Sequence, residues 1–391
     1  MAAMEKNNKN LNVPNLRFPE FSGEWDITTI GEISNIKNGP FGSVLHAEDY
    51  VSDGIPIVTT EHFKSGSLPI VKDGIPQVSE QDYIRLKGYK LQTNDIVFSR
   101  VGSVDINAYV SDTQNGWLFS GRVLRVRPIS SVNSLCLHFV LSTEKVKQSI
   151  RSRAVGQTMP SINTPILSIT NIFLPKSLEE QRKISIFLAL IDARLETQKK
   201  IIEDLKKLKD AIRTKLFRYI ENTYTAYDEI RNMLDYEQPT EYLVNSTEYS
   251  DSYQTPVLTA NKAFILGYTD ELHGIYDKGD CIILDDFTMD VKYVTFPFKV
   301  KSSAIKILTA KQNVDLYYMY EYIMHLALVS EEHKRHYISE IEPMNITCPP
   351  LQEQKQISLM LKSLNMLVDN AKNYQGLLSK QKQYLLTQLF I

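Results

Sequence analysis

Along two stretches of the chain, apolar residues recur at alternating spacings of four and three. The first stretch holds Ile184, Leu188, Ile191, Leu195, Ile202, Leu205, Ile212 and Leu216; the second holds Ile357, Leu361, Leu364, Val368, Leu378, Leu385 and Leu389. This spacing puts a narrow apolar stripe on one side of an α-helix, the seam of a coiled coil. Pro175 and the Pro349–Pro350 pair stop either helix from extending toward its N-terminus. At 1.5 Å per residue each helix spans about 60 Å. A seam of that length needs a partner, and the other helix of the same chain is the nearest, packed antiparallel. The alternative is that each helix belongs to a separate domain core.

The two helices are copies of one another. LEEQRKIS (178–185) reappears as LQEQKQIS (351–358), and the match continues without a gap at an offset of 173, with 13 identities over the 40 positions from Leu178 to Phe217. Gln181/Gln354, Ile184/Ile357, Ser185/Ser358, Leu188/Leu361, Leu205/Leu378 and Phe217/Phe390 are among them. An internal repeat of this kind implies a duplicated structural unit.

The segments between the helices have a different texture. In the first, IPIVTTEHF, NDIVFSRVGS and GRVLRVRPI are short β-rich runs separated by Gly, Pro and Asp turns, and LCLHFVLSTEKVKQSIRSRA reads as helix. The second segment follows the same order: TPVLTANKAFILG parallels IPIVTTEHFKSGS, KGDCIILDDF parallels TNDIVFSRVG, and DLYYMYEYIMHLALV falls where the first helix lay. Each segment reaches one more strand and prolines (ITNIFLP, MNITCPP) before its long helix. The expected fold class is therefore α+β, divided into a domain over 1–177, a helix over 178–220, a domain over 221–350 and a helix over 351–391.

Composition narrows the setting. With 391 residues, 43% of them hydrophobic, the chain is long enough for at least two cores. Cys136, Cys281 and Cys348 lie far apart without a CxxC pair, which points away from disulfides and zinc ribbons and toward a reducing compartment. The N-terminal MAAMEKNNKNLNVPN lacks an apolar core, and no run is long enough to cross a membrane, so a soluble cytoplasmic protein is expected. Charge is unevenly spread: Lys+Arg against Asp+Glu is 18 to 16 over residues 1–177, 11 to 7 over 178–220, 10 to 21 over 221–350 and 5 to 2 over 351–391. Any surface of the third segment that faces a polyanion must be a basic patch on an acidic body.

Three features together resemble the specificity subunit of type I restriction-modification systems, over nearly the whole chain. They are LRFPEFSGEWDITTIGEI (16–33), NGPFGSVL (38–45) and the L-x-EQ-x-x-I helix start used twice after proline, SLEEQRKIS after Pro175 and PPLQEQKQIS from Pro349. GQTMPSI (156–162) also looks like the family's loop before the last strand of a target-recognition domain. The second domain has HYISEIEPMNI there and no NGPFGS counterpart, which leaves its reading surface open. The resemblance implies two target-recognition domains, each reading half of a bipartite double-stranded DNA target, with the helices setting the spacing. It also implies two methyltransferase (modification) subunits that bring S-adenosylmethionine and methylate adenine, and restriction/translocase subunits that use ATP and Mg. No cofactor is expected on this chain itself.

Reading base edges requires matched donors and acceptors on well-held loops, with phosphate contacts setting the register. In the first domain Arg100 and Ser103 of SRVGS, Thr60, His62 and Lys64 of VTTEHFKSGS, and Gln157 and Thr158 of GQT supply such groups. Arg suits guanine O6/N7 and Gln suits adenine. Lys37, Arg122, Arg151 and Arg153 are candidates for phosphate contacts, and in the second domain Asn261, Lys262, Lys292, Lys299 and Lys301 are the candidates. Ordinary turn residues and a solvated surface account for each of these taken singly. Arg182, Lys183 and Lys355 on the helix flanks are candidates for partner docking.

Two other readings compete. The chain has no P-loop, GxGxxG, HExxH or GxSxG, and CPPL (348–351) is only an echo of the adenine-methyltransferase motif. Asp285, Asp286, Asp290 and Lys292 are spaced like the D…(D/E)xK site of a metal-dependent nuclease, and His333/His336 like a pair of ligands on a helix. A turn between strands and a solvated helix end explain them equally well. A coiled-coil adaptor that does not bind DNA is the second rival, although a scaffold needs no β-rich domains.

Overall fold

The computed structural model describes residues 12–40, 45–259, 264–329 and 337–391. The chain divides into two compact units, residues 1–197 with 375–391 and residues 198–374. The long helices are Leu178–Thr223 and Leu351–Leu389, so each contributes one stretch to each unit.

In the first unit, strand Asp26–Thr29 pairs antiparallel with Asn171–Leu174. A capping box then turns the chain: the Thr29 hydroxyl accepts from the Glu32 N–H, and the Glu32 carboxylate accepts from the Thr29 N–H. The main sheet follows, antiparallel, in the order Ser34–Asn38, Val123–Pro128, Ile96–Ser99, Asn107–Tyr109. A smaller sheet holds Ile55–Val58 parallel to Leu118–Phe119. Helix Ser134–Leu141, capped by Asn133, has nearly every side chain buried.

The second unit uses the same elements in the same order. Tyr227–Glu229 pairs with Asn345–Thr347. The main sheet runs Leu234–Glu237, Ile305–Ala310, Cys281–Asp285, Val291–Val294. Thr255–Leu258 lies parallel to Lys299–Val300, and helix Leu316–His325, capped by Asp315, occupies the place of Ser134–Leu141. The correspondence drawn from TPVLTANK, KGDCIILDDF and DLYYMYEY thus holds at the level of strands and helix.

Within each unit the two long helices run antiparallel. In the first, Ile184 and Leu188 share a core with Leu385, Leu389 and Phe390, and Lys382 pairs with Asp192 at 2.5 Å. In the second, Phe217 and Ile220 share a core with Ile357 and Leu361, and the Gln198 amide donates to the Ala371 carbonyl at 3.0 Å. The seam residues are also built into the domain cores. Ile184 and Leu188 pack with Trp25, Phe98 and Leu137, and Phe217 stacks on His325 and meets the Tyr322 ring edge-on. The seam and the separate-core alternative are therefore both realised, since one stripe serves both contacts. Burying each such side chain contributes about 1.5–3 kcal/mol.

The EQ pair repeated in each helix start has a physical reason. The Gln181 amide donates to the Pro175 carbonyl (2.8 Å) while its oxygen accepts from the Asn133 N–H (2.8 Å). Gln354 does the same with Pro349 (2.8 Å) and the Asp315 N–H (2.9 Å). Each glutamine satisfies a carbonyl before the long helix and the N-cap N–H of the domain helix, tying one to the other. Glu180, nearly fully buried, accepts from Arg17 and from the Trp25 indole, which explains the role of LRFPEFSGEW in the first unit.

Candidate nucleic-acid interface

The first unit gathers three loops at the end of its main sheet. Arg100 follows strand Ile96–Ser99; its N–H donates to the Arg122 carbonyl (3.0 Å) and its carbonyl accepts from the Ile162 N–H (2.9 Å). The Gly102 N–H donates to Pro160 (2.8 Å), and Val155 and Ser161 exchange both backbone hydrogen bonds. The SRVGS turn and the GQT loop are therefore pinned side by side. Gly156 sits at φ +100°, a conformation that favours glycine. Ser103, Gln157 and Thr158 are exposed at the tips.

Beside these loops lies a cleft of about 520 Å³ lined by Arg100, Arg122, Thr60, Glu61 and Tyr50. One Arg100 guanidinium nitrogen donates to the Gly121 carbonyl at 3.2 Å. The cleft depends on glycine at Gly39 and Gly121. A Cβ on Gly39 would stand 1.9 Å from the Ser120 carbonyl oxygen, and one on Gly121 2.3 Å from that of Pro40. That close approach accounts for NGP in the NGPFGSVL element, whose Phe41–Val44 lie outside the described residues. Glu61 and Tyr50 carried no motif of their own, and the parallel pairing of Ile55–Val58 with Leu118–Phe119 is what sets the TTEH turn beside Ser120–Arg122.

Several candidates are occupied otherwise. His62 Nδ1 accepts from the Thr59 N–H at 3.1 Å, and burial pushes its imidazole pKa down, so it is a neutral turn cap rather than a cation for phosphate. Lys64 pairs with Glu61 at 2.5 Å. Lys37 donates to the Gly88 carbonyl (2.7 Å) and lies over the Tyr89 ring, holding a neighbouring turn. Arg151 bonds both Asp105 (2.5 Å) and Glu144, which removes its surplus charge. Arg153 is exposed, with one contact to the Thr170 hydroxyl at 3.3 Å.

The second unit departs at the position equivalent to Arg100. The Asp286 N–H donates to the Ala304 carbonyl at 3.0 Å, the bond that Arg100 makes to Arg122 in the first unit. Asp286 is buried, paired with the buried Lys306 at 3.2 Å and accepting from the Tyr337 N–H at 2.7 Å. The second domain thus has an inward carboxylate where the first presents an arginine. Lys299 is corrected as a DNA contact: it is 2% exposed, donates to the His273 carbonyl (2.6 Å) and pairs with Glu271 (3.0 Å). Lys292 pairs with Asp290 at 3.0 Å, and Lys301 is exposed, 5.9 Å from the centre of the Tyr249 ring. Asn261 and Lys262 lie outside the described residues.

The nuclease-like spacing has structural uses. Asp285 caps a turn by accepting from the Phe287 (2.8 Å) and Thr288 (2.7 Å) N–H groups, while Asp286 and Asp290 hold Lys306 and Lys292. Among the described residues no group of three His, Cys, Asp or Glu is placed to hold a metal; His333 and His336 lie outside them.

On the helix flanks Arg182 and Lys355 are exposed, whereas Lys183 is held by Glu20 and lies over the Phe18 ring. The flanks also expose apolar residues at repeat-related positions: Ile186 (60%) and Leu359 (69%), Phe187 (37%) and Met360 (41%), Ile201 (44%) and Tyr374 (37%). They fall off the 4-3 seam, and aligning the two copies at the 173-residue offset is the signal that finds them.

An internally duplicated chain, each unit an α+β domain closed onto a stretch of both long helices, is the class this fold defines. The sequence model for the type I restriction modification DNA specificity domain matches residues 22–207 and 229–375, and the chain belongs to that family. It is 44% identical over 139 residues to the type I restriction enzyme EcoR124I/EcoR124II specificity subunit of Escherichia coli, a match spanning 34% of each chain. The putative type I restriction enzyme MjaX specificity subunit of Methanocaldococcus jannaschii is 24% identical, over 95% of this chain and 93% of that one. The fold is similar to the crystal structure of the type I restriction-modification S subunit from M. genitalium, with a TM-score of 0.62 at 15% identity, covering 97% and 99% of the two chains. No helix among the described residues is long and apolar enough to cross a membrane.

Proposed function

We propose that this chain is the DNA-recognition subunit of a type I restriction-modification assembly, reading a bipartite duplex target and directing methylation or cleavage carried out by partner subunits. The observation that carries this reading is the duplicated domain, each copy locked to the long helices by the same glutamine bridge, in a chain of the specificity family. Two equivalent domains suit two half-sites, and helices of fixed length suit a fixed spacer.

In the first domain the reading set is Arg100, Arg122, Thr60, Ser103, Gln157 and Thr158, with Glu61 and Tyr50 added from the cleft. The Arg100 guanidinium and the Glu61 carboxylate, which line the same cleft, match guanine O6/N7 and the cytosine amino group. Two methyltransferase subunits dock on the flanks, one at Ile186 and Phe187 beside Arg182, the other at Leu359 and Met360 beside Lys355. Equal apolar patches on the two copies of a repeat suit two copies of one partner. S-adenosylmethionine, ATP and Mg belong to those partners and to restriction/translocase subunits, and the chemistry is theirs.

Exchanging residues 1–177 for the first domain of another specificity subunit tests this reading. The methylated motif is expected to change in one half and keep the other. Change in both halves would contradict half-site reading.

A further inference from the structure

The second unit is acidic and buries a carboxylate where the first presents Arg100, so its electrostatic hold on a polyanion must come from elsewhere. A cleft of about 940 Å³ lies between the domain and its own stretches of the two long helices. Five lysines line it: Lys206, Lys209 and Lys292 with Lys362 and Lys372. Three have carboxylate partners, namely Glu321 for Lys209 (3.4 Å), Asp290 for Lys292 (3.0 Å) and Asp369 for Lys372 (2.8 Å). The lining acids are engaged as well, Asp210 by Arg213 (2.7 Å) and Asp280 by the Tyr293 hydroxyl (2.7 Å).

Lys206 and Lys362 remain. Neither meets a carboxylate at salt-bridge distance among the described residues, and the Lys362 ammonium lies over the rings of Tyr317 (4.8 Å) and Tyr293 (5.7 Å). Rings hold a cation in place without neutralising it. The repeat offers an internal comparison: at the 173-residue offset Lys206 corresponds to Ser379 and Lys362 to Ala189. The unit whose cleft is lined by Arg100 has neutral residues at both positions, and the unit without that arginine has lysines.

We propose that this cleft carries the phosphodiester backbone of duplex DNA, with Lys206 and Lys362 as its phosphate contacts, so that the helices supply the basic surface the second domain lacks. The inference rests on the DNA-recognition reading. Phosphate contacts are made by Lys and Tyr groups and fix register without reading sequence.

The test is the salt dependence of target binding by the chain assembled with its modification subunits, wild type against Lys206→Ser/Lys362→Ala. Both replacements are residues that the other copy of the repeat already carries. Losing two phosphate contacts lowers the slope of log K against log [salt] by about 1.8, with the recognised motif unchanged. An unchanged slope in a folded, assembled variant would overturn the cleft while leaving the functional reading intact. Loss of a modification subunit with an unchanged slope would overturn it too, marking the cleft as a protein-docking site. A wild-type complex that shows no bipartite specificity would remove the underlying reading, and the cleft with it.

Discussion

On the proposed reading, Arg100 is the residue that contacts the first half-site. Its backbone is fixed on both sides and its side chain lines the cleft with Glu61. A bidentate arginine–guanine contact discriminates by about 1–3 kcal/mol, so Arg100→Ala is expected to weaken binding to the target roughly 5- to 150-fold by that estimate. Binding to a target altered in the first half should barely change, a comparison that titration of both duplexes would make. SRVGS and GQT marked the two turns that the structure pins side by side, because glycine turns are legible in sequence. Burial and pairing are not. Lys299 looks like any lysine until Glu271 and the His273 carbonyl are seen around it. His138 shows a different consequence of burial: its ring bonds Asn107 at 2.7 Å and its pKa is pushed down to about 3 by desolvation, then by Lys382 and Lys147. Because the folded value lies below the unfolded one near 6.5, the unfolded state binds the extra proton. Its contribution to stability is full above about pH 6.5 and is lost as pH falls toward 3. Urea unfolding at pH 7 and pH 5 should show a smaller loss for His138→Gln than for the wild type.

At the scale of elements, the long helices were legible because a 4-3 stripe persists over many turns and repeats at a fixed offset. Their double duty was not, since a stripe says which side is buried and not against how many neighbours. The glutamine bridges belong here. Gln181→Leu leaves the Pro175 carbonyl and the Asn133 N–H without their partner, and Gln354→Leu does the same for Pro349 and Asp315. Each substitution is expected to destabilise its unit by about 1–3 kcal/mol, read from the midpoint of denaturant unfolding. The second domain's strands were legible by analogy with the first, but the exchange of Arg100 for Asp286 was not. It appears only when the sheet registers are aligned through Ile96/Ile282 and Leu308/Val126.

At the scale of the whole molecule, a duplicated chain of the specificity family accounts for the lack of a catalytic motif alongside two β-rich domains. The uneven charge, 10 basic against 21 acidic residues over 221–350, finds its counterpart in the lysines that the helices bring to the second unit's cleft. Inserting one heptad after Ile201 is expected to lengthen the spacer between half-sites and leave the bases unchanged, as methylation mapping would show. The most direct test of the account is genome-wide adenine methylation in a host that expresses this chain with its cognate modification subunit, compared with a host lacking only this chain. The account predicts a bipartite motif with an unspecified spacer that appears only when the chain is present. Methylation that is the same with and without the chain would contradict it.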